Sequence, residues 1–245
     1  MIENELEILR KAKHPNIIKL VEEYKTDSFV YLIMEFLKAG DLLDDLSVKK
    51  TYNEKDASNM VADLASAISY LHSKSIVHRD LKLENILIQN LNDGSKTLKL
   101  GDFGLAEKID DKLNRKCGSP IYVAPEILLG KPYGFEVDVW SLGIITYILL
   151  CGYAPYQGDD DDKTFELIKS NELLFQKPYW DDVSEGAIDL IKKMLDRDQK
   201  TRITAEEILK HKWIVEKPHG TKSTSILKNH SISNIENNLR KNPRF

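Results

Sequence analysis

Residues 75–88 read SIVHRDLKLENILI, with His78, Arg79, Asp80, Lys82 and Glu84 falling within seven residues between the apolar pairs Ile76-Val77 and Ile86-Leu87. That frame belongs at the edge of a core, where charge is costly unless it is paired or put to use. The stretch therefore predicts a working loop, and the residues around it say of what kind. Asp102-Phe103-Gly104 follows 17 residues after Asn85, and Ala124-Pro125-Glu126 comes later.

Upstream, MIENELEILRKAK (1–13) alternates charge with Ile2, Leu6 and Leu9 at helical spacing, which marks an amphipathic helix and not a signal peptide. IIKLVEEY (17–24) and FVYLIMEF (29–36), separated by the polar KTDS, have the length and the β-branched or aromatic content of two strands. From Asn53 a long helix places Met60, Val61, Leu64, Ile68 and Leu71 on one face, with Asn53 and Asp56 as its capping pair. Short strands are expected around ILIQ (86–89) and LKL (98–100), split by the turn-rich NLNDGS, and helices follow to about Trp213. The run from Val139 to Cys151 is shorter than the roughly 20 residues a bilayer requires, and it carries Ser141 and Thr146. It reads as a helix buried on all sides. A small sheet followed by helices is an α+β arrangement.

With 42% hydrophobic residues in 245, the chain can bury a sizeable core, and a formal charge of -4 leaves no nucleic-acid footprint. Cys117 and Cys151 lie far apart and outside any metal-ligand spacing, which fits a reducing compartment; cytoplasm or nucleus is the expected location. Charge is unevenly distributed. Val215 to Phe245 holds six basic and two acidic residues, leaving 29 basic against 37 acidic, a balance of -8, in the first 214. The run Asp159 to Asp162 reads as a solvated loop.

HRDLKLEN (78–85), Asp102-Phe103-Gly104 and Ala124-Pro125-Glu126, in this order and spacing, resemble the landmarks of eukaryotic-type protein kinases. The resemblance runs from Glu3 to about Ile214. It implies a bilobal α+β fold: a remnant of the N-lobe over 1–37, with one helix, two strands and a hinge, and a mainly helical C-lobe over 38–214. A basic tail, expected to be flexible, covers 215–245. The implied activity is ATP-dependent phosphorylation with Mg2+ as the metal.

The implied roles are specific. Asp80 is the catalytic base for the substrate hydroxyl, and Lys82 balances charge on the transferring phosphoryl group. Asn85 and Asp102 are hard-oxygen ligands for the metal. Glu35 and Leu37, with Met34, match the hinge that reads the adenine, Leu87 packs below it, and Glu84 belongs to the same nucleotide-side group. Asp138 resembles the residue that holds the catalytic-loop backbone, and Glu126 resembles the partner of a late arginine, here Arg202. Leu9, Leu20, His78 and Phe103 match a stacked column linking the lobes.

Lys82 and Gly118-Ser119-Pro120 point to a serine or threonine acceptor. Asp41 and Glu84 align with acidic positions that face arginine in basophilic kinases, and the acidic body would steer basic peptides toward them. The stretches ENELEILRKAKHPNII, GDLLDDL and LLCGYAPYQGDDDD are most similar to the calcium/calmodulin-dependent group, doublecortin-like kinases among them. In that group a basic segment after the last domain helix can bind calmodulin. Here Ile232, Ile235 and Leu239 lie at helical spacing near Arg240, Lys241 and Arg244, but four asparagines and Pro243 weaken such a helix, so a disordered tail is the reading and calmodulin binding the alternative.

Two departures stand out. The family begins with a glycine-rich strand pair and a strand lysine that pairs with a glutamate of the next helix; this sequence starts at that helix, with Glu5 as the glutamate and no lysine. Weak phosphoryl transfer by these residues alone is expected, with a fragment of a longer kinase as the reading and a non-catalytic scaffold as the alternative. A small-molecule phosphotransferase of kinase-like fold is a further alternative, disfavoured by the Ala124-Pro125-Glu126 and Arg202 pair. Secondly, LAEKIDDKLNRKCG (105–118) holds no Ser, Thr or Tyr, and Arg115 stands where many relatives carry a phosphorylated threonine. Arg79, which grips that phosphate in relatives, is expected to be neutralised by Asp110 or Asp111, with Cys117 packed and inert.

Overall fold

The structure, a computed structural model, describes residues 2–218. Helix α1 (Ile2–Lys11) carries Glu3 and Glu5 in its first turn and Arg10 and Lys11 in its last, the arrangement that the helix dipole favours. Its apolar stripe buries Leu6, Ile8 and Leu9. The end of α1 is clasped to the body: Lys13 N–H donates to Tyr70 Oη (3.1 Å), Tyr70 Oη–H donates to Lys11 O (3.2 Å), and His14 Nε2 meets Ser66 Oγ at 3.1 Å. At its start, Asn4 Nδ2 donates to Ala106 O at 2.8 Å.

Strands β1 (Leu20–Lys25) and β2 (Val30–Met34) form an antiparallel hairpin with Tyr24 opposite Tyr31. Thr26 closes the turn, its N–H donating to Phe29 O at 2.8 Å while its Oγ1 accepts from Phe29 N–H at 3.0 Å. Leu20, Leu32 and Met34 turn toward the core. Val21, Tyr24, Phe29, Tyr31 and Ile33 remain exposed, Tyr31 at 53% and Ile33 at 43%.

Helix α2 (Leu42–Lys49) starts at the cap Asp41, and α3 (Glu54–Ser73) at the cap Asn53, whose side chain accepts from Asp56 N–H as the sequence predicts. Met60, Val61, Leu64, Ile68 and Leu71 are all buried. Strand β3 (Ile76–Val77) leads into the charged loop, β4 (Ile86–Asn90) leaves it, and β5 (Lys96–Leu100) returns antiparallel to β4. Strand β6 (Glu107–Lys108) pairs with β3, Val77 facing Glu107. The front hairpin joins this body where Ile18 N–H donates to Leu100 O at 2.9 Å.

The rest is helical: α4 (Pro125–Leu128), α5 (Glu136–Cys151), α6 (Asp161–Ser170), α7 (Glu185–Met194), α8 (Ala205–Lys210) and α9 (Lys212–Val215). Every residue of α5 from Val137 to Cys151 is buried, as its unbroken apolar run foretold. Helices α3 and α7 pack against it, and at Gly143 an added Cβ would stand 2.8 Å from Leu195 Cδ2. Glu54, in the first turn of α3, accepts from Trp213 Nε1 (2.8 Å) and Ser184 N–H (2.8 Å), tying the last helices to the first long one. The Asp159 to Asp162 run is a loop only in part: Asp160 caps α6, Asp161 and Asp162 form its first turn, and Asp159 pairs with Lys163 at the surface.

Candidate active site

The loop after β3 is held by its backbone. Asp138, in the first turn of α5 and 1% exposed, accepts from His78 N–H and Arg79 N–H at 2.9 Å each, and contacts His72 Nε2 at 2.9 Å. Burial by itself would raise the pKa of Asp138. The hydrogen bond and charge of His72, with the charge and N–H of His78, outweigh that and leave the carboxyl below its ordinary value. Arg79 holds a left-handed backbone, φ +67, which such anchoring sustains in a residue other than glycine.

Clamped in this way, the loop presents Asp80. Its Oδ1 accepts from Ser119 Oγ–H at 3.0 Å and its Oδ2 accepts from Asn85 Nδ2 at 3.1 Å. Lys82 Nζ lies 3.6 Å from Asp80 Oδ2 and donates to Ser119 Oγ at 3.3 Å. Asn85 Nδ2 also donates to Asp80 O at 2.9 Å. Carboxylate, cation and amide thus share one hydrogen-bonded cluster.

The segment carrying Asp102 is joined to the same loop. Gly101 N–H donates to Asn85 O at 2.8 Å, and His78 Nε2 meets Gly101 O at 3.0 Å. Asp102 is exposed, with φ +49 and its Oδ1 accepting from Gly104 N–H at 3.1 Å. Phe103 is 1% exposed and meets His78 edge-on, ring centroids 5.0 Å apart. Leu9 is buried in the same core and Leu20 packs against it. Glu5 lies half-buried on α1.

On the expected nucleotide side, Leu87 faces Lys99 across the β4–β5 pair, and Lys99 Nζ reaches Glu35 Oε1 at 2.8 Å. The same Glu35 oxygen accepts from Lys19 N–H at 2.8 Å, so β5 and the segment after β2 are tied through one carboxylate. Met34, Leu37 and Leu87 are half-buried against the core beside it. Glu84 is half-buried with Oε2 unpartnered among the described residues; burial raises its pKa, and the charges of Asp80 and Asp41 add to the rise while Lys82 opposes it. Asp41 spends Oδ1 on capping α2 at Asp44 N–H, 2.9 Å.

The sequence of residues 1–214 matches the family model described as protein kinase domain. The chain belongs to the protein kinase family. Over 216 residues, 87% of its length, the chain is 50% identical to serine/threonine-protein kinase DCLK1 of Rattus norvegicus, of which it covers 50%. It is 50% identical to serine/threonine-protein kinase DCLK2 of Mus musculus, covering 29% of that protein, and 47% identical to serine/threonine-protein kinase DCLK3 of Homo sapiens, covering 33%. The chain spans half or less of the length of these relatives. Its fold is that of a kinase domain with little sheet and much helix, as the motifs implied.

The buried anchor between Glu126 and Arg202 is bidentate, at 2.7 and 2.9 Å, and Arg202 also donates to Asp196 O and Glu136 O at 2.8 Å each. One expectation is corrected. Arg79 pairs with Glu107 of β6, Nη2 to Oε2 at 2.5 Å, and not with Asp110 or Asp111, because the β3–β6 register sets Glu107 opposite Val77, two residues before Arg79. Cys117 is buried beside Tyr133 Oη at 3.8 Å, as expected of a packed thiol. Lys99 and Glu107 are charged neighbours of the site that sequence reading passed over; Ser119 was noted only for the acceptor class, within Gly118-Ser119-Pro120, and not as a partner of Asp80. Among the described residues no helix is long and apolar enough to cross a membrane. Ile232, Ile235, Leu239, Arg240, Lys241 and Arg244 lie outside the described residues.

Proposed function

We propose that this kinase domain transfers the γ-phosphoryl group of ATP to serine or threonine hydroxyls of proteins, favouring acceptors near basic residues. The observation that carries the reading is the Asp80 cluster, a base whose two oxygens are aimed by Ser119 and Asn85 with Lys82 beside them, on a loop that Asp138 fixes by its backbone. Asp80 accepts the proton of the attacking hydroxyl, and Lys82 offsets negative charge gathering on the transferring group. Among the described residues no cluster of three or more His, Cys, Asp and Glu is arranged to hold a metal alone. Asn85 and Asp102 suit Mg2+ instead, whose remaining sites would be filled by phosphate and water oxygens. When bound, that ion neutralises phosphate charge.

Glu84 supports the basic preference. A buried carboxylate oxygen without a partner is unfavourable, and a guanidinium from a substrate would relieve it. Asp41 nearby adds to the negative potential felt at Glu84. The 245 residues contain no glycine-rich phosphate loop, so these residues alone are slow on this reading; loss of even one preorganised donor costs about 100- to 1,000-fold. Calmodulin binding by 215–245 is a separate proposal that a titration with calcium and calmodulin decides.

The decisive experiment supplies a glycine-rich strand pair and strand lysine upstream and measures peptide phosphorylation. Asp80→Asn should cut the rate by about 100- to 10,000-fold while nucleotide binding persists. Undiminished turnover in that variant would sink the assignment of Asp80.

A further inference from the structure

The side chain of Arg79 is 4% exposed, and its partners come from three directions. Nε donates to Leu105 O at 2.8 Å, Nη1 reaches Tyr133 Oη at 3.5 Å, and Nη2 pairs with Glu107 at 2.5 Å. Tyr133 Oη–H in turn donates to Arg115 O at 2.5 Å, so the guanidinium connects the loop bearing Asp80 to both ends of segment 105–118. A buried guanidinium requires a counter-charge. Glu107 is the carboxylate that meets it, and 105–118 holds no hydroxyl that a phosphate could be added to.

We propose that Glu107 is a positioning residue: its carboxylate permanently supplies the negative charge that locks Arg79, and through it docks segment 105–118 against the Asp80 loop without covalent modification. The inference rests on the kinase reading only in taking Asp80 as the working carboxylate. Its test requires no turnover, so failure here and failure of the phosphoryl-transfer reading are separable.

The experiment compares backbone hydrogen exchange of residues 105–118 in the full 245-residue chain with that of Glu107→Gln and Glu107→Asp. Glu107→Gln should speed exchange there roughly three- to tenfold, the lower figure reflecting the 40% exposure of Glu107, while α5 stays unchanged. Glu107→Asp should retain most of the protection. Sulfate at about 50 mM should restore protection to Glu107→Gln by occupying the vacated charge site, whereas chloride at equal ionic strength, which only screens, should not. The parent chain should not respond to sulfate. Parent-like protection in Glu107→Gln, equal loss in Glu107→Asp, indifference of Glu107→Gln to sulfate, or a rise shared with α5 would each overturn the proposal.

Discussion

Asp138 concentrates three contacts on one buried carboxylate, and its lowered pKa is a statement about stability. The folded protein binds fewer protons at this site than the unfolded chain does. The contribution is therefore complete above the unfolded carboxyl pKa of about 4 and fades as pH falls through the lower folded value. Asp138→Asn should cost about 3–5 kcal/mol near neutral pH, because it leaves buried donors without their charged acceptor. Urea unfolding checks this: the gap between parent and variant should shrink on acidification, and a gap constant down to pH 3 would count against it. Asp138 was singled out by resemblance to a family landmark at the head of an apolar helix, and its contacts to His78 and Arg79 N–H are what that resemblance implied. Glu107 was not singled out. Three carboxylates within five residues look alike along the chain, and only the pairing of two-residue strands decides which one reaches Arg79.

Among elements, α5 shows what periodicity reads well and what it misses. An apolar run of this length says that the helix is covered on every side, but not how closely its neighbours come. Gly143 permits the close approach of α7 and the residue after it; an added methyl would sit 2.8 Å from Leu195 Cδ2 and 3.0 Å from Met194 Cβ. Gly143→Ala should therefore destabilise the fold by about 1–3 kcal/mol despite the better helix propensity of alanine, read as a lower urea midpoint. A rise in midpoint would show that the contact yields easily. The caps at Asn53 and Asp41 act locally, which is why the Asn53 pair could be read from four letters. Strands β3 and β6 escaped because two residues display no alternation.

For the whole molecule, the two ends of the fold differ in how well they are covered. The helical part encloses α5 completely, whereas the β1–β2 hairpin shows Tyr31, Ile33 and Phe29 to water. An apolar sheet face with strand edges invites association. The 245-residue chain should self-associate at micromolar concentration in sedimentation velocity, and Tyr31→Lys with Ile33→Lys should shift it toward monomer. An unchanged profile in that double variant would place the sticky surface elsewhere. The composition, with its ample apolar content, revealed a core of adequate size but not which face would lack cover, since exposure follows from what packs against a strand.

The two attachments of α1 have a mechanical consequence. Tyr70 and His14 pin the finish of the helix to α3, while Asn4 touches Ala106 near its beginning. A rod fastened at both tips transmits displacement along its length. A shift of α3 at Tyr70 would therefore be carried through α1 to Ala106, on the strip that follows Asp102.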